Sequence, residues 1–285
     1  MQTYRRLTKR GFTLVELLVV IGIIALLIGI LMPALSKARR QANTTACLAN
    51  LRSMNQALSI YFAQNQGHLP YYNWYYKTEP DKAWHGYWIG ILGDNKCMPD
   101  KVICPEAKDP LDFKLNGSSG LGAVNAAWSG ELQTAATGVK YDTKSFMNTT
   151  MGPGGYRIGS YGFNRNLTVD ADKYGTNIAK VRNSSDVPVF YDSVWVDNID
   201  MYNGSTTDQP PLPTSLTGSD AATAQAARDK HKDQFRIWIA RHGRAINMAF
   251  ADGSARTVGL EDTYNLYWTP DWNRYVLPKG WLPPK

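Results

Sequence analysis

The carboxy-terminal stretch His242-Gly243-Arg244-Ala245-Ile246-Asn247-Met248-Ala249-Phe250-Ala251-Asp252-Gly253-Ser254 separates an imidazole and a carboxylate by nine residues, with a carboxamide between them. A His with a nearby Asp can act as a general base oriented by the acid, and Ser254 or Ser160 could then supply a nucleophilic hydroxyl. The chain has no Gly-x-Ser-x-Gly elbow to expose such a serine. A metal is the second chemistry: Asp252, Asp192 and Asn247 offer hard oxygens that suit calcium, with His242 as a further candidate ligand. No dense Asp-x-Asp cluster accompanies them, and His is a poor calcium ligand. The simplest alternative is structural. Asp252 shapes a turn, Gly253 takes a positive φ, and His242 bonds to backbone in the preceding loop.

Three cysteines admit at most one intramolecular disulfide. Cys97 and Cys104 form the natural pair, with Pro99 between them and Pro105 just beyond. Two free thiols are the alternative, and no His or second Cys pair stands close by in sequence to complete a zinc site. Cys47 falls on an apolar helix face and reads as a small packed hydrophobe.

What must position these groups begins at the other end. From Phe12 to Leu35 the one charged residue is Glu16, and a helix of that length reaches across a hydrocarbon core of roughly 30 Å. Arg5, Arg6, Lys9 and Arg10 precede it, and such bases tend to stay cytoplasmic. A secretory signal would carry an Ala-x-Ala site after its apolar core; here Ser36-Lys37-Ala38-Arg39-Arg40 follows. A plain signal anchor would account for the span but not for Glu16, whose charge costs several kcal/mol in a bilayer unless it has a partner or a use. If the chain is cut after Gly11, the new amino group of Phe12 is a cation that Glu16 of a neighbouring helix can pair.

Gly11-Phe12-Thr13-Leu14-Val15-Glu16 resembles the type III signal of type IV pilins and of the pseudopilins of type II secretion. The resemblance implies cleavage between Gly11 and Phe12 by a prepilin peptidase, N-methylation of Phe12, and lateral packing of helices into a filament. It further implies that Glu16 contacts a neighbouring Phe12 amine, and that Pro33 falls where pilin helices often bend or melt. Some pseudopilins carry a structural calcium in their carboxy-terminal loops, which is what motivates that ion here.

The balance of 31 basic and 24 acidic residues gives +7; without the four leader bases, 27 against 24 leaves +3. The basicity is thus largely a leader property, and without a basic stripe or a matching motif no nucleic-acid partner is expected.

Beyond Pro33, residues 36–66 read as an amphipathic continuation of the helix, with Cys47, Leu51, Met54, Leu58 and Tyr61 at alternating steps of four and three, and Leu48 and Phe62 beside them. Gly67 is a C-cap and Leu69-Pro70 a stop. Tyr71 to Trp88 is rich in rings, a carbohydrate-stacking platform or, more simply, core and loop aromatics. Residues 116–138 and 197–225 read as irregular insertions. Extended candidates are 159–164, 187–193, 234–239, 245–250 and 254–258, the last two joined by Asp252-Gly253, a hairpin signal. The expected fold is α+β: a long amino-terminal helix, membrane-spanning then amphipathic, packed on an antiparallel sheet in a pilin-like layout. The expected divisions are a leader 1–11, a transmembrane assembly helix 12–35, its amphipathic continuation 36–66, and an exported globular domain 67–285.

The carboxy-terminal motif resembles the prepilin-associated His, nine residues, Asp-Gly domain of planctomycete and related bacteria. Cys47-Leu48-Ala49-Asn50-Leu51-Arg52, Cys104-Pro105, Ser160-Tyr161-Gly162-Phe163-Asn164 and Val189-Phe190-Tyr191-Asp192 follow that family's order. These features together imply a non-enzymatic pilin or pseudopilin subunit in the cytoplasmic membrane, single-pass, with its carboxy-terminal domain outside. Its partners would be the prepilin peptidase and other subunits. The alternative is a membrane-anchored protein or enzyme acting on polysaccharide.

Overall fold

Leu14–Gln64 forms one helix, α1, that runs through Pro33 without interruption. The computed structural model describes residues 14–70, 88, 92, 103–107, 128–130, 157–168, 177–193, 197–198, 237, 239 and 241–270, with backbone alone at 128–130, 157–159 and 197–198. The chain divides after Ala42 into two units. In the first, the large apolar side chains from Leu14 to Leu35 are exposed on every face of the helix, Leu14 at 78% and Leu35 at 70%. The segment is long and apolar enough to cross a membrane.

The second unit starts at Asn43. Cys47, Leu51, Met54 and Leu58 are buried at the expected spacing, with Leu48, Tyr61 and Phe62 packed at their edge. The helix ends where Gln66 and Gly67 turn to positive φ, 56° and 77°, and the Gly67 N–H returns to Phe62 O at 2.7 Å. A Cβ at Gly67 would lie 3.0 Å from the Asn177 carboxamide. The position therefore suits glycine twice over, by conformation and by space.

Among the described residues seven strands follow: β1 Trp128–Gly130, β2 Arg157–Gly159, β3 Tyr161–Asn164, β4 Pro188–Asp192, β5 Asp197–Asn198, β6 Ala245–Phe250 and β7 Ala255–Gly259. Strands β1 and β2 form a separate antiparallel pair. The main sheet has the order β5-β3-β4-β6-β7, with β3, β4, β6 and β7 antiparallel as expected. The two-residue β5 runs parallel to β3 at the edge, which the sequence reading did not anticipate. Both β1 and β5 fall in stretches read as irregular. Conversely, the extended run expected at 234–239 is not a strand at Ile237 and Ile239: both are buried, and the Ile239 N–H closes a short turn on Ile237 O at 2.9 Å. The rest of that run lies outside the described residues.

Strand β4 is buried along its whole length. Phe190 pairs across to Phe163 with ring centroids 5.2 Å apart and meets Trp88 edge-on at the same distance. Tyr191, on the alternate face, packs edge-on against Trp268 and donates to Phe163 O at 2.9 Å. In β6 the residues Ile246, Met248 and Phe250 and the intervening Asn247 and Ala249 are all buried. The central strands are thus covered on both sides, and α1 supplies one cover through Asn55, whose carboxamide donates to Phe250 O at 2.6 Å. Trp88 is core, as the simpler reading of the aromatic run holds; residues 71–87 lie outside the described residues.

Candidate functional site

Side chains alternate across a strand, so Asp192 shares a face with Phe190 and is carried, fully buried, toward the face that α1 covers. Its Oδ1 accepts from Arg241 Nη1 at 3.1 Å and its Oδ2 from the Asn247 N–H at 2.9 Å. His242 Nε2 stands 3.1 Å from Oδ2. The loop that carries Arg241 and His242 is held at its base by the His242 N–H on Ala245 O, and the Arg241 guanidinium also reaches Ser160 O and Ser193 O.

Two sulfurs complete the arrangement. Cys47, on the buried face of α1, has Sγ 3.7 Å from both Asp192 oxygens and receives the Tyr161 hydroxyl at 3.4 Å. Cys104 is fixed by its N–H on Ser160 Oγ at 2.6 Å, and its Sγ lies 3.3 Å from His242 Nε2. The other ring nitrogen of His242, Nδ1, faces Thr44 Oγ1 at 3.0 Å. One donor atom from each of Cys47, Cys104, Asp192 and His242 lies within 4.8 Å of every other.

The electrostatics follow from crowding charged and polarisable groups into a dry space. The hydrogen bond from Cys47 pulls the Cys104 pKa down to about 7, against the upward push of burial, with His242 and Arg241 helping. Burial pushes the Cys47 thiol well up, and its bond to Cys104 and the Asp192 charge push the same way. Burial works against charge on His242 too, but the bonds to Asp192 and Cys104 prevail and raise it to about 9. Asp192 is likewise resisted by burial and ends below the ordinary carboxylate range because His242 and Arg241 hold its charge.

Several residues named from sequence meet here and others do not. Asp192 and His242 come together. Asp252 instead stands exposed at the β6–β7 turn, where its Oδ1 accepts the Ser254 N–H at 2.9 Å and Gly253 takes φ 91°. This is the turn role, and it leaves no His242–Asp252 dyad. The expectation that the His242 side chain bonds to preceding backbone is corrected: its ring faces Thr44, Cys104 and Asp192, because the loop folds inward beneath α1. Asn247 donates its side-chain amide to Thr44 O and accepts from Thr257, so its carboxamide serves the helix and β7. Ser160 is a buried acceptor for Cys104, not an exposed nucleophile.

Cys104 is a free thiol lying beside Cys47, one of the two states weighed for it from sequence; Cys97 is outside the described residues. Sequence spacing placed Cys47 inside but did not bring it to Cys104, 57 positions on. Arg241 and Thr44 had no signal at all. Gly11 and Phe12 also lie outside the described residues, while Glu16 and Pro33 are within α1.

A model of the prokaryotic N-terminal methylation motif matches residues 6–32. The chain is similar to the type IV wide pilus major component PilA4 of Thermus thermophilus, 42% identical over 59 residues, which is 21% of this chain and 45% of that protein. The chain thus spans about half the length of the curated relative it matches. No solved structure matches the chain. The prepilin-type signal is therefore present, and α1 with its antiparallel sheet gives a pilin-like α+β layout.

Proposed function

We propose that this chain is a structural subunit, a pilin or pseudopilin, of a type IV pilus-like filament or type II secretion pseudopilus. The observation that carries the reading is the methylation motif at 6–32 running into a helix whose apolar residues from Leu14 to Leu35 are exposed all round. Such a surface calls for lipid before assembly and for like helices after it. In this reading a prepilin peptidase cuts between Gly11 and Phe12, with the basic leader on the cytoplasmic side of the inner membrane and the sheet domain outside.

The new Phe12 amine, N-methylated, is a cation four positions before Glu16 in the sequence. In an apolar medium that charge pair between adjacent subunits fixes axial register, because any other register strands a carboxylate among aliphatic side chains. Pro33 has no N–H for the Gly29 carbonyl, so α1 is weakest there, the place where packing can bend it. Partners are the peptidase and other pilin or pseudopilin subunits. The role is structural and not enzymatic.

The test is the mass of the amino-terminal peptide from native membranes, followed by Glu16→Ala. A peptide beginning at methylated Phe12, and a Glu16→Ala protein that inserts but yields no filaments, are the expected results. Retention of the leader, or normal filaments from the variant, would overturn the reading.

A further inference from the structure

We propose that Cys47, Cys104, Asp192 and His242 form a buried tetrahedral zinc site that fastens the second part of α1 to the sheet. The four residues come from four separate segments, the helix, the 103–107 loop, the end of β4 and the loop before β6, and converge on one point.

The spacing is close to that of a coordination shell. With zinc about 2.3 Å from sulfur and about 2.0–2.2 Å from nitrogen or oxygen, the edges of the tetrahedron are about 3.3–3.8 Å. Of the six edges here, three are 3.1 Å from His242 Nε2 to Asp192 Oδ2, 3.3 Å from His242 Nε2 to Cys104 Sγ and 3.7 Å from Cys47 Sγ to the Asp192 oxygens, and all four donors lie within 4.8 Å of one another, so shifts of about 1 Å or less close the shell around an ion. The surroundings also fit. The Thr44 hydroxyl can take the Nδ1 proton of His242, leaving Nε2 as the donor, and Arg241 and the Asn247 N–H orient the carboxylate. Two thiolates and a carboxylate carry three negative charges; a divalent ion with the Arg241 guanidinium cancels them, so the set is neutral where water is excluded.

Two other chemistries fit less well. A Cys-His-Asp catalytic relay needs the thiol and the acid on opposite nitrogens of the imidazole. Here both Cys104 and Asp192 face the same Nε2, and Cys104 is fully buried from any substrate. A Cys47–Cys104 disulfide uses the sulfurs but gives no account of the third and fourth donors aimed between them. Calcium, which takes six to eight oxygens, has a single carboxylate here. Two sulfurs, one nitrogen and one oxygen are a donor set that favours zinc.

The full-length chain, purified in detergent without chelator, is assayed for metal and for thiols under denaturing alkylation. About one zinc per chain with both thiols alkylated is expected. After stripping, added Co2+ should give the visible bands of a tetrahedral site and a thiolate charge-transfer band, both lost in Cys47→Ser and in His242→Ala. A chain that holds no zinc and takes up no Co2+ overturns the proposal. So does a Cys47–Cys104 disulfide in the intact mass, and so does Co2+ binding that survives both substitutions. Because the wild-type measurements stand alone, a variant that fails to fold does not rescue it.

Discussion

Arg241→Met isolates the worth of the buried ion pair that holds Asp192. Both side chains are fully shielded from solvent, with Nη1 and Oδ1 3.1 Å apart. Removing one partner of such a pair costs about 3–5 kcal/mol, because the remaining charge is stranded. Two compensations place the loss toward the lower figure. Asp192 keeps the Asn247 N–H and His242, and Ser160 O keeps the Ser193 N–H at 2.9 Å. In a unit of this size each kcal/mol lowers the melting temperature by about 2–4 °C, so a fall of about 6–12 °C is expected. The assay is thermal unfolding of the full-length chain in detergent by tryptophan fluorescence, with chelator present so that no bound ion enters the comparison. Adding Asp192→Asn removes the stranded charge and should recover at least about 1 kcal/mol relative to Arg241→Met alone. A fall of less than about 3 °C, or a double variant no more stable than the single one, would refute the reasoning.

Gly67→Ala places a Cβ on a residue at φ 77° and 3.0 Å from Asn177, and should cost about 1–2 kcal/mol by the same thermal assay. Asp252→Ala removes one acceptor at an exposed turn and should cost less than about 1 kcal/mol; a loss several times larger would mean that Asp252 is tied to the buried cluster after all.

The elements legible in advance were those with a local pattern. Apolar residues at steps of four and three gave the buried face of α1, and Asp252-Gly253 between alternating runs gave the β6–β7 hairpin, because both signals are written within one short stretch of chain. The parallel edge strand β5 and the short β1 carry no such pattern and exist through pairing alone. At the cluster, sequence offered Asp192 and His242 as candidate ligands but set Asp252 beside them, since distance along the chain said nothing about which acid turns inward. For Cys104 the sequence offered its neighbour Cys97 as a natural partner, with a free thiol as the alternative, and gave no sign that tertiary packing brings it to a cysteine on α1.

Several groups that fasten the second part of α1 lie late in the chain: Asp192 for Cys47, His242 for Thr44, Phe250 for Asn55 and Ala255 for Arg52, separated by 145, 198, 195 and 203 residues. A chain emerging from its amino terminus therefore leaves part of that apolar helical face uncovered until β6 and β7 arrive. Completion is thereby written on the surface. A protein shortened before Ala245 would display what the finished one conceals, giving any sorting machinery a chemical mark by which to keep it out of an assembly.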